Sequence, residues 1–296
     1  MMHRVESEIA RLIKEIEYDE VTQLFNTLSG GKRLRAKLIL KIAPSSQKAP
    51  LLAAIVELIH AASLLHDDVI DEATLRRGVA SVNATEGSKN AVMLGDILYS
   101  KAFSELVSFE RDIAKTISSS VTALSKGEMM DVKMAQSFND DEEKYLEMLY
   151  LKTATLIEAA ARSAALLAGK DPLSHALYGR NLGLSFQIID DILDITSDEA
   201  TLGKPAMNDF VEGKCTLPYI YLYKLLSGDE KERLKSLHAK VLSEDESAWI
   251  RTKMQEHKTI ERSFELAQKL SDEAMNAMRD DEELINILQT MIKRSY

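Results

Sequence analysis

Cysteine occurs once, at Cys215. A single thiol excludes an intrachain disulfide framework and fits a reducing compartment, so the cytoplasm is the expected location. There are five prolines, and none lies between Pro50 and Pro172; that long interval holds no residue that would break a helix for want of an amide proton. Aromatic residues make up 6% of the chain, and sustained apolar/polar alternation, the mark of a half-buried strand, is scarce. No run of about 18 uncharged apolar residues occurs, since even 154–168 carries Glu158 and Arg162, so no transmembrane segment is expected. The opening MMHRVESEIARLIKEI is amphipathic and charged and lacks the core of a signal peptide. Lys plus Arg total 37 against 47 Asp plus Glu, a net of −10. Such a balance argues against a nucleic-acid partner or a polybasic membrane patch.

What remains is helix. Ala, Leu, Glu, Lys and Met dominate the proline-free interval, and apolar residues recur at i, i+3/4 and i+7. The pattern predicts an all-α protein, with helices over 2–17, 34–42, 51–70, 90–108, 111–136, 142–169, 173–195 and 217–226. Four more, over 229–241, 245–256, 258–279 and 281–294, form a polar-faced tail without recognisable chemistry. Loops are expected over 44–50 and 71–88, and a glycine-punctuated, lid-like segment over 203–214. At 296 residues the chain can bury a substantial core. No linker, repeat or shift in composition divides it, so one domain spanning 1–296 is expected.

Two acidic clusters stand out, Asp67-Asp68-Val69-Ile70-Asp71 and Asp190-Asp191-Ile192-Leu193-Asp194. On a helix the carboxylates at i and i+4 share a face, where like charges cost roughly 0.2–0.5 kcal/mol per pair. A hard divalent cation such as Mg2+ offsets that repulsion, and its coordination is usually completed by substrate phosphates. One such cluster alone is as well explained by a solvated helix face. Two copies, each preceded by an apolar run, point instead to acidic faces held across one cavity. Arg76 and Arg77 follow the first cluster, and arginine suits bidentate phosphate binding. His60 falls within about 20° of the line of Asp67 and Asp71, although a lone helical histidine is more often a packing residue. Gly30-Gly31-Lys32-Arg33-Leu34-Arg35 feeds cations into a helix start whose open amides favour an anion. Lys152-Thr153 lies mid-helix, Gln187 shares a face with the second cluster, and Lys204 and Lys214 punctuate the lid-like segment. Met129, Met130 and Met134 suit either a core or the wall of an apolar tunnel.

These residues together resemble the trans-isoprenyl diphosphate synthases, the polyprenyl synthetase family. The carrying motifs are GGKRLR (30–35), HAASLLHDDVIDEATLRRG (60–78), KT (152–153), FQIIDDILD (186–194) and GKPAMNDFVEGKCTLP (203–218). The resemblance implies an orthogonal helical bundle around a central cavity, three Mg2+ per active site and a homodimer. It implies Asp67, Asp71 and Asp190 as the main metal ligands, assisted by Asp68, Asp191 and Asp194. Arg76, Lys152, Thr153, Gln187, Lys204 and Lys214 would contact an allylic diphosphate (farnesyl or geranyl), and Lys32, Arg35, His60 and Arg77 isopentenyl diphosphate. The chain departs from the family at Ala154, at Val79-Ala80 and at Asp131, where glycine, Lys-Pro and glutamine are common.

In the short-chain members, bulky aromatics four or five residues before the first aspartate block chain growth. Here those positions are Ser63 and Ala62, with Ile59 a turn deeper, and Met129 and Met130 are further chain-length candidates. The expected product is therefore a long all-trans polyprenyl diphosphate, about C30–C40 by resemblance alone, for quinone side chains and handed to a nearby membrane. A short-chain farnesyl or geranylgeranyl diphosphate synthase is the alternative. A class I terpene cyclase fits less well with two acidic motifs and an isopentenyl pocket, and a non-catalytic helical partner subunit fits less well with every aspartate in place.

Overall fold

The computed structural model describes residues 1–28, 31–76, 78–197 and 206–292. The described residues are overwhelmingly helical, as the periodicity predicts, and they divide into two compact units. The first comprises Met1–Thr122 and Leu156–Gly179, the second Ala123–Thr155 and Arg180–Tyr296.

The first unit opens with α1 (Met2–Lys14), α2 (Asp19–Thr27), α3 (Leu34–Ile42) and α4 (Ala49–Ile70). A hairpin of β1 (Leu75–Arg76) and β2 (Val79–Ala80) follows, then α5 (Val82–Glu86) and α6 (Ser88–Leu106). Its axis is α4, which starts on a proline and packs against α1, α3 and α6. Leu52, Ile55, Val56, Leu58 and Ile59 are all fully buried, and each such side chain stabilises the fold by about 1.5–3 kcal/mol. By length and composition α4 is also the one helix among the described residues apolar enough to cross a bilayer. Two-thirds of its apolar stretch is buried within the protein, as a core helix that is apolar all round must be.

The chain then runs through α7 (Arg111–Ala135), α8 (Glu142–Leu149), a π-helical turn (Tyr150–Ala154), α9 (Thr155–Ala168) and α10 (Pro172–Thr196). Beyond them lie α11 (Asn208–Val211), α12 (Leu217–Leu225), α13 (Gly228–Ser236), α14 (Glu244–Glu256), α15 (Thr259–Ala277) and α16 (Glu282–Ile292). The core of the second unit gathers Ile188, Phe210, Leu217, Ile220, Leu222, Leu234, Ile250 and Met254. Phe210 stacks on Tyr219 with ring centroids 4.2 Å apart. Capping is explicit where the sequence provides it: Asp141 accepts from the Lys144 amide, and Ser243 and Glu246 close a capping box on α14.

Three departures from the periodicity matter for function. The segment 71–88 is not a plain loop; a hairpin turns at Gly78, whose φ of +76° a side chain would strain. The single helix expected over 142–169 is broken by the π-helical turn at Tyr150–Ala154. The first predicted helix, 2–17, ends earlier, at Lys14, and beyond it comes a short helix that the periodicity did not indicate, α2, whose only buried side chain is Val21.

Candidate active site

In the first unit α4 delivers Asp67 and Asp68, and Asp71 sits at its C-cap, its amide donating to the carbonyl of Asp67 at 2.8 Å. The three carboxylates are not equivalent. Asp68 is buried, and its Oδ1 accepts from Nε and Nη2 of Arg76, both at 2.6 Å. The hairpin makes this possible by folding Arg76 back onto α4. Asn83 Nδ2 donates to the carbonyls of Asp68 and Ala73 and holds the base of the hairpin. Asp67 and Asp71 keep more solvent access. On α6, Tyr99 and Phe103 stack with their centroids 6.1 Å apart. Burial raises the Tyr99 pKa, as do, to a lesser degree, the charges of Asp67 and Asp96. This aromatic pair beside the first cluster was not read from the sequence, although its i, i+4 spacing was there to find. Lys32 is exposed ahead of α3, Arg35 is half-buried in its first turn, and His60 is half-buried on α4. Arg77 and Lys204 lie outside the described residues, as does Gly30 of the glycine turn.

The second unit is organised around the π-helical turn. Such turns are rare and tend to mark functional sites; this one carries Lys152 and Thr153. Lys152 Nζ sits 2.5 Å from Asp131 Oδ2 and 2.9 Å from Glu128 Oε2, two carboxylates one turn apart on α7. Burial lowers the lysine pKa, but Asp131 and then Glu128 outweigh it, and the net shift is upward. Gly127 makes the approach possible: a Cβ there would meet the Lys152 amide nitrogen at 2.4 Å.

Thr153 Oγ1 donates to Gln187 Oε1 at 3.2 Å, and Gln187 Nε2 donates to Asp191 Oδ1 at 2.9 Å. Tyr145 from α8 donates a short hydrogen bond to Asp191 Oδ2. Asp191 is buried; burial first, and repulsion from Asp209 next, raise its pKa against the pull of those two donors. Asp191 is thus a hub joining the Lys-Thr turn to α10, and both its oxygens are engaged. Asp194 is likewise committed, accepting the Asp209 amide on Oδ2 at 3.2 Å and the Met207 amide on its carbonyl at 2.7 Å. These bonds fasten the start of α11 to α10. Asp190 is the solvent-exposed member of this cluster.

A cavity of about 160 Å3 in this unit is lined by Asp131, Lys152, Thr153, Gln187, Asp191, Asp209 and Lys214, with Met134, Met148 and Cys215 among its apolar wall. Lys214 also pairs with Glu212 at 2.7 Å. Burial pushes the Cys215 thiol up to about 12, so it is protonated at neutral pH and is no nucleophile. The cavity therefore brings together three aspartates, two ammonium groups already paired with carboxylates, and a hydroxyl beside an apolar wall. Asp209 and Tyr145 line or support this cavity without having been read as functional. Tyr145 meets Asp191 across 46 residues of sequence, which no local pattern reports.

The family model described as Polyprenyl synthetase matches residues 18–254. This chain belongs to the polyprenyl synthetase family. Among solved structures it is similar to the octaprenyl pyrophosphate synthase of Helicobacter pylori, with TM-score 0.93 and 43% identity over 98% of each chain. Among curated relatives it is 37% identical over 226 residues to the octaprenyl diphosphate synthase of Escherichia coli K12, covering 72% of this chain and 69% of that one. It is also 37% identical over 221 residues to a short chain isoprenyl diphosphate synthase of Methanothermobacter thermautotrophicus, covering 71% and 68%. The family is one of prenyltransferases built on the all-α isoprenoid synthase fold, and its members join isopentenyl and allylic diphosphates with the help of a divalent metal.

The donor set in this family member suits such a metal. Asp67 and Asp71 in the first unit and Asp190 in the second are the more exposed members of their clusters and carry the hard carboxylate oxygens that Mg2+ takes; Asp68, Asp191 and Asp194 are buried and accept from protein donors. Among the described residues no three His, Cys, Asp or Glu side chains converge into a closed cage. An incomplete set of one or two carboxylates is what Mg2+ takes when substrate phosphates and water fill the remaining positions.

The chain-length candidates fare unevenly. Ile59 and Ala62 are both 0% exposed, whereas Ser63 is half-buried with its hydroxyl on the His60 carbonyl. Ser63 is therefore the one of these three whose side chain is not fully buried. Met129 is 75% exposed and does not line an internal tunnel. Met130 packs on the core of the second unit, and of the three methionines on α7 it is Met134 that lines the cavity.

Proposed function

We propose that this protein is a Mg2+-dependent, head-to-tail (1'-4) prenyltransferase that adds isopentenyl diphosphate to an allylic diphosphate, farnesyl or geranyl, and makes a long all-trans polyprenyl diphosphate. Both aspartate clusters act on one allylic diphosphate. Asp67, Asp71 and Asp190 hold the metal, three ions per site by the family resemblance, and bound Mg2+ supplies Lewis-acid stabilisation of the departing pyrophosphate. Arg76, Lys152, Lys204 and Lys214 take up diphosphate charge, while Asp68 fixes the direction in which Arg76 points. Lys32, Arg35, His60 and Arg77 hold isopentenyl diphosphate. As the allylic C–O bond breaks, the isopentenyl double bond forms the new C–C bond and a proton leaves to the pyrophosphate. Apolar walls keep water from the cation.

The observation that carries the long-chain reading is the pair of small side chains, Ala62 and Ser63, upstream of Asp67. A product of about C30–C40 for a quinone side chain is the expectation, handed to a membrane surface nearby. The family match runs from residue 18 to 254 and so spans both compact units, which supports one catalytic domain. We place the enzyme in the cytoplasm as a homodimer. The test is incubation of purified protein with farnesyl diphosphate, radiolabelled isopentenyl diphosphate and Mg2+. Long products that vanish with EDTA and return with Mg2+ support the proposal; C15–C20 products would make it a short-chain synthase, and no elongation would end it.

Ser63→Phe is expected to shorten the products to about C15–C20 on radio-TLC while leaving the fold intact, because the serine is only half-buried. Ala62→Phe, at a fully buried position, should instead cost about 1–3 kcal/mol of stability through overpacking. An unchanged length distribution in Ser63→Phe would remove the gate from α4.

A further inference from the structure

Glu57 lies in the middle of α4 between fully buried Val56 and Leu58, and is itself 5% exposed. A carboxylate is out of place there unless it is paired and hydrogen-bonded. Its Oε1 accepts the Ala36 amide at 3.0 Å, and its Oε2 faces Arg33 Nη1 at 3.4 Å. Ala36 is in the first turn of α3, where backbone amides lack an intrahelical partner. Arg33 immediately precedes that helix in the left-handed conformation, φ +51°, unusual for a residue with a side chain. Its Nε also reaches Glu6 Oε1 on α1 at 3.2 Å. One turn along α4 from Glu57 comes His60.

We infer that Glu57 is a positioning residue for isopentenyl diphosphate: by gripping Ala36 and Arg33 it fixes the start of α3, and with it Lys32 and Arg35, relative to His60. The inference rests on the proposed isopentenyl diphosphate pocket. Glu57 does not touch the ligand in this account. It acts by holding a short cationic segment, with a backbone conformation that is costly by itself, against the helix that carries the histidine. The charge matters as well as the acceptor, because without it Arg33 would be held only by Glu6 on α1 and no longer by the helix that carries His60.

The test compares steady-state constants for isopentenyl diphosphate and farnesyl diphosphate in Glu57→Gln, Arg33→Gln, Lys32→Ala and the wild type. Glu57→Gln keeps an oxygen for the Ala36 amide and drops the charge on Arg33. It is expected to raise the KM for isopentenyl diphosphate about 3- to 10-fold, with the KM for farnesyl diphosphate within about twofold of wild type. Arg33→Gln, which leaves the Ala36 bond in place, should reproduce that split. Equal changes in both KM values, or a lower melting temperature with neither KM moved, would overturn the positioning role. If Lys32→Ala leaves the isopentenyl diphosphate KM unchanged in an enzyme that still elongates, the pocket itself is misplaced and the inference falls with it. If Lys32→Ala raises that KM and Glu57→Gln does not, the pocket stands and only the role of Glu57 fails.

Discussion

Lys152→Met should abolish turnover and destabilise the protein in one step. The side chain is replaced by one of similar length and flexibility, so little packing is lost. What is lost is the cation between Asp131 and Glu128, whose side chains are both buried. Removing one partner from a buried charge cluster costs about 3–5 kcal/mol, because the remaining charges are left in low dielectric without compensation. A fall in melting temperature of roughly 6 °C or more is expected by calorimetry or circular dichroism. The pKa of Lys152 stands above that of free lysine, so in the wild type this stabilisation is fully present below about pH 10 and is lost only as the pH climbs through the raised value. Across neutral pH it is therefore constant in the wild type. The triple variant Lys152→Met, Glu128→Gln, Asp131→Asn separates the two effects: it should regain most of the lost stability and none of the activity. If that triple variant turned over substrate, Lys152 would be a structural cation with no part in binding the diphosphate. Full stability in the single variant would mean that solvent reaches the two carboxylates more freely than their burial indicates.

The chemistry-bearing residue types were legible before any coordinates, and their arrangement was only partly so. The aspartate clusters announce themselves because i, i+1, i+4 is a statement about one helical turn, and α4 and α10 are long, uninterrupted helices that honour it. Which aspartate does what was not legible. Asp68 and Asp191 look like their neighbours in sequence, yet Arg76 binds the first through a hairpin turn at Gly78, and Tyr145 and Gln187 bind the second from α8 and from a turn earlier in α10. Those partners are set by tertiary folding, which a window of ten residues does not contain. The methionines show the opposite failure. Met129, Met130 and Met134 were grouped by composition, but at 100° per residue Met129 stands about 140° around α7 from Met134. The face shared by Glu128 and Asp131 turns toward Lys152, and Met129 turns to solvent. Periodicity, applied one residue at a time, would have separated them.

The π-helical turn was the least legible feature, and its dependence on Gly127 makes it the most exposed to a small change. A π-turn inserts one residue into an α-helix and is not stable by local propensity; it persists where surrounding packing over-determines it. Here α7 passes so close to the turn that a Cβ on residue 127 would lie 2.4 Å from the Lys152 nitrogen and 2.7 Å from the Leu151 carbonyl carbon. Both are backbone atoms, so no side chain can rotate away. Gly127→Ala must therefore push the turn off α7 by several tenths of an ångström at least. The helix-propensity gain of roughly 1 kcal/mol from replacing glycine by alanine works in the other direction, which makes the sign of the result informative. Overpacking of this kind costs about 1–3 kcal/mol, enough to cancel or exceed the propensity term. Stability should then change little, while Lys152 Nζ and Thr153 Oγ1 leave the positions set by Asp131 and Gln187. Misplacing a positioned group by about 1 Å can cost 10²-fold in rate, so kcat is expected to fall about 100-fold with a melting temperature within a few degrees of wild type. Gly127→Ser should behave the same way. A variant with wild-type kcat would show that the π-turn is free to move without consequence, and Lys152 would then reach its diphosphate from a turn that α7 does not hold.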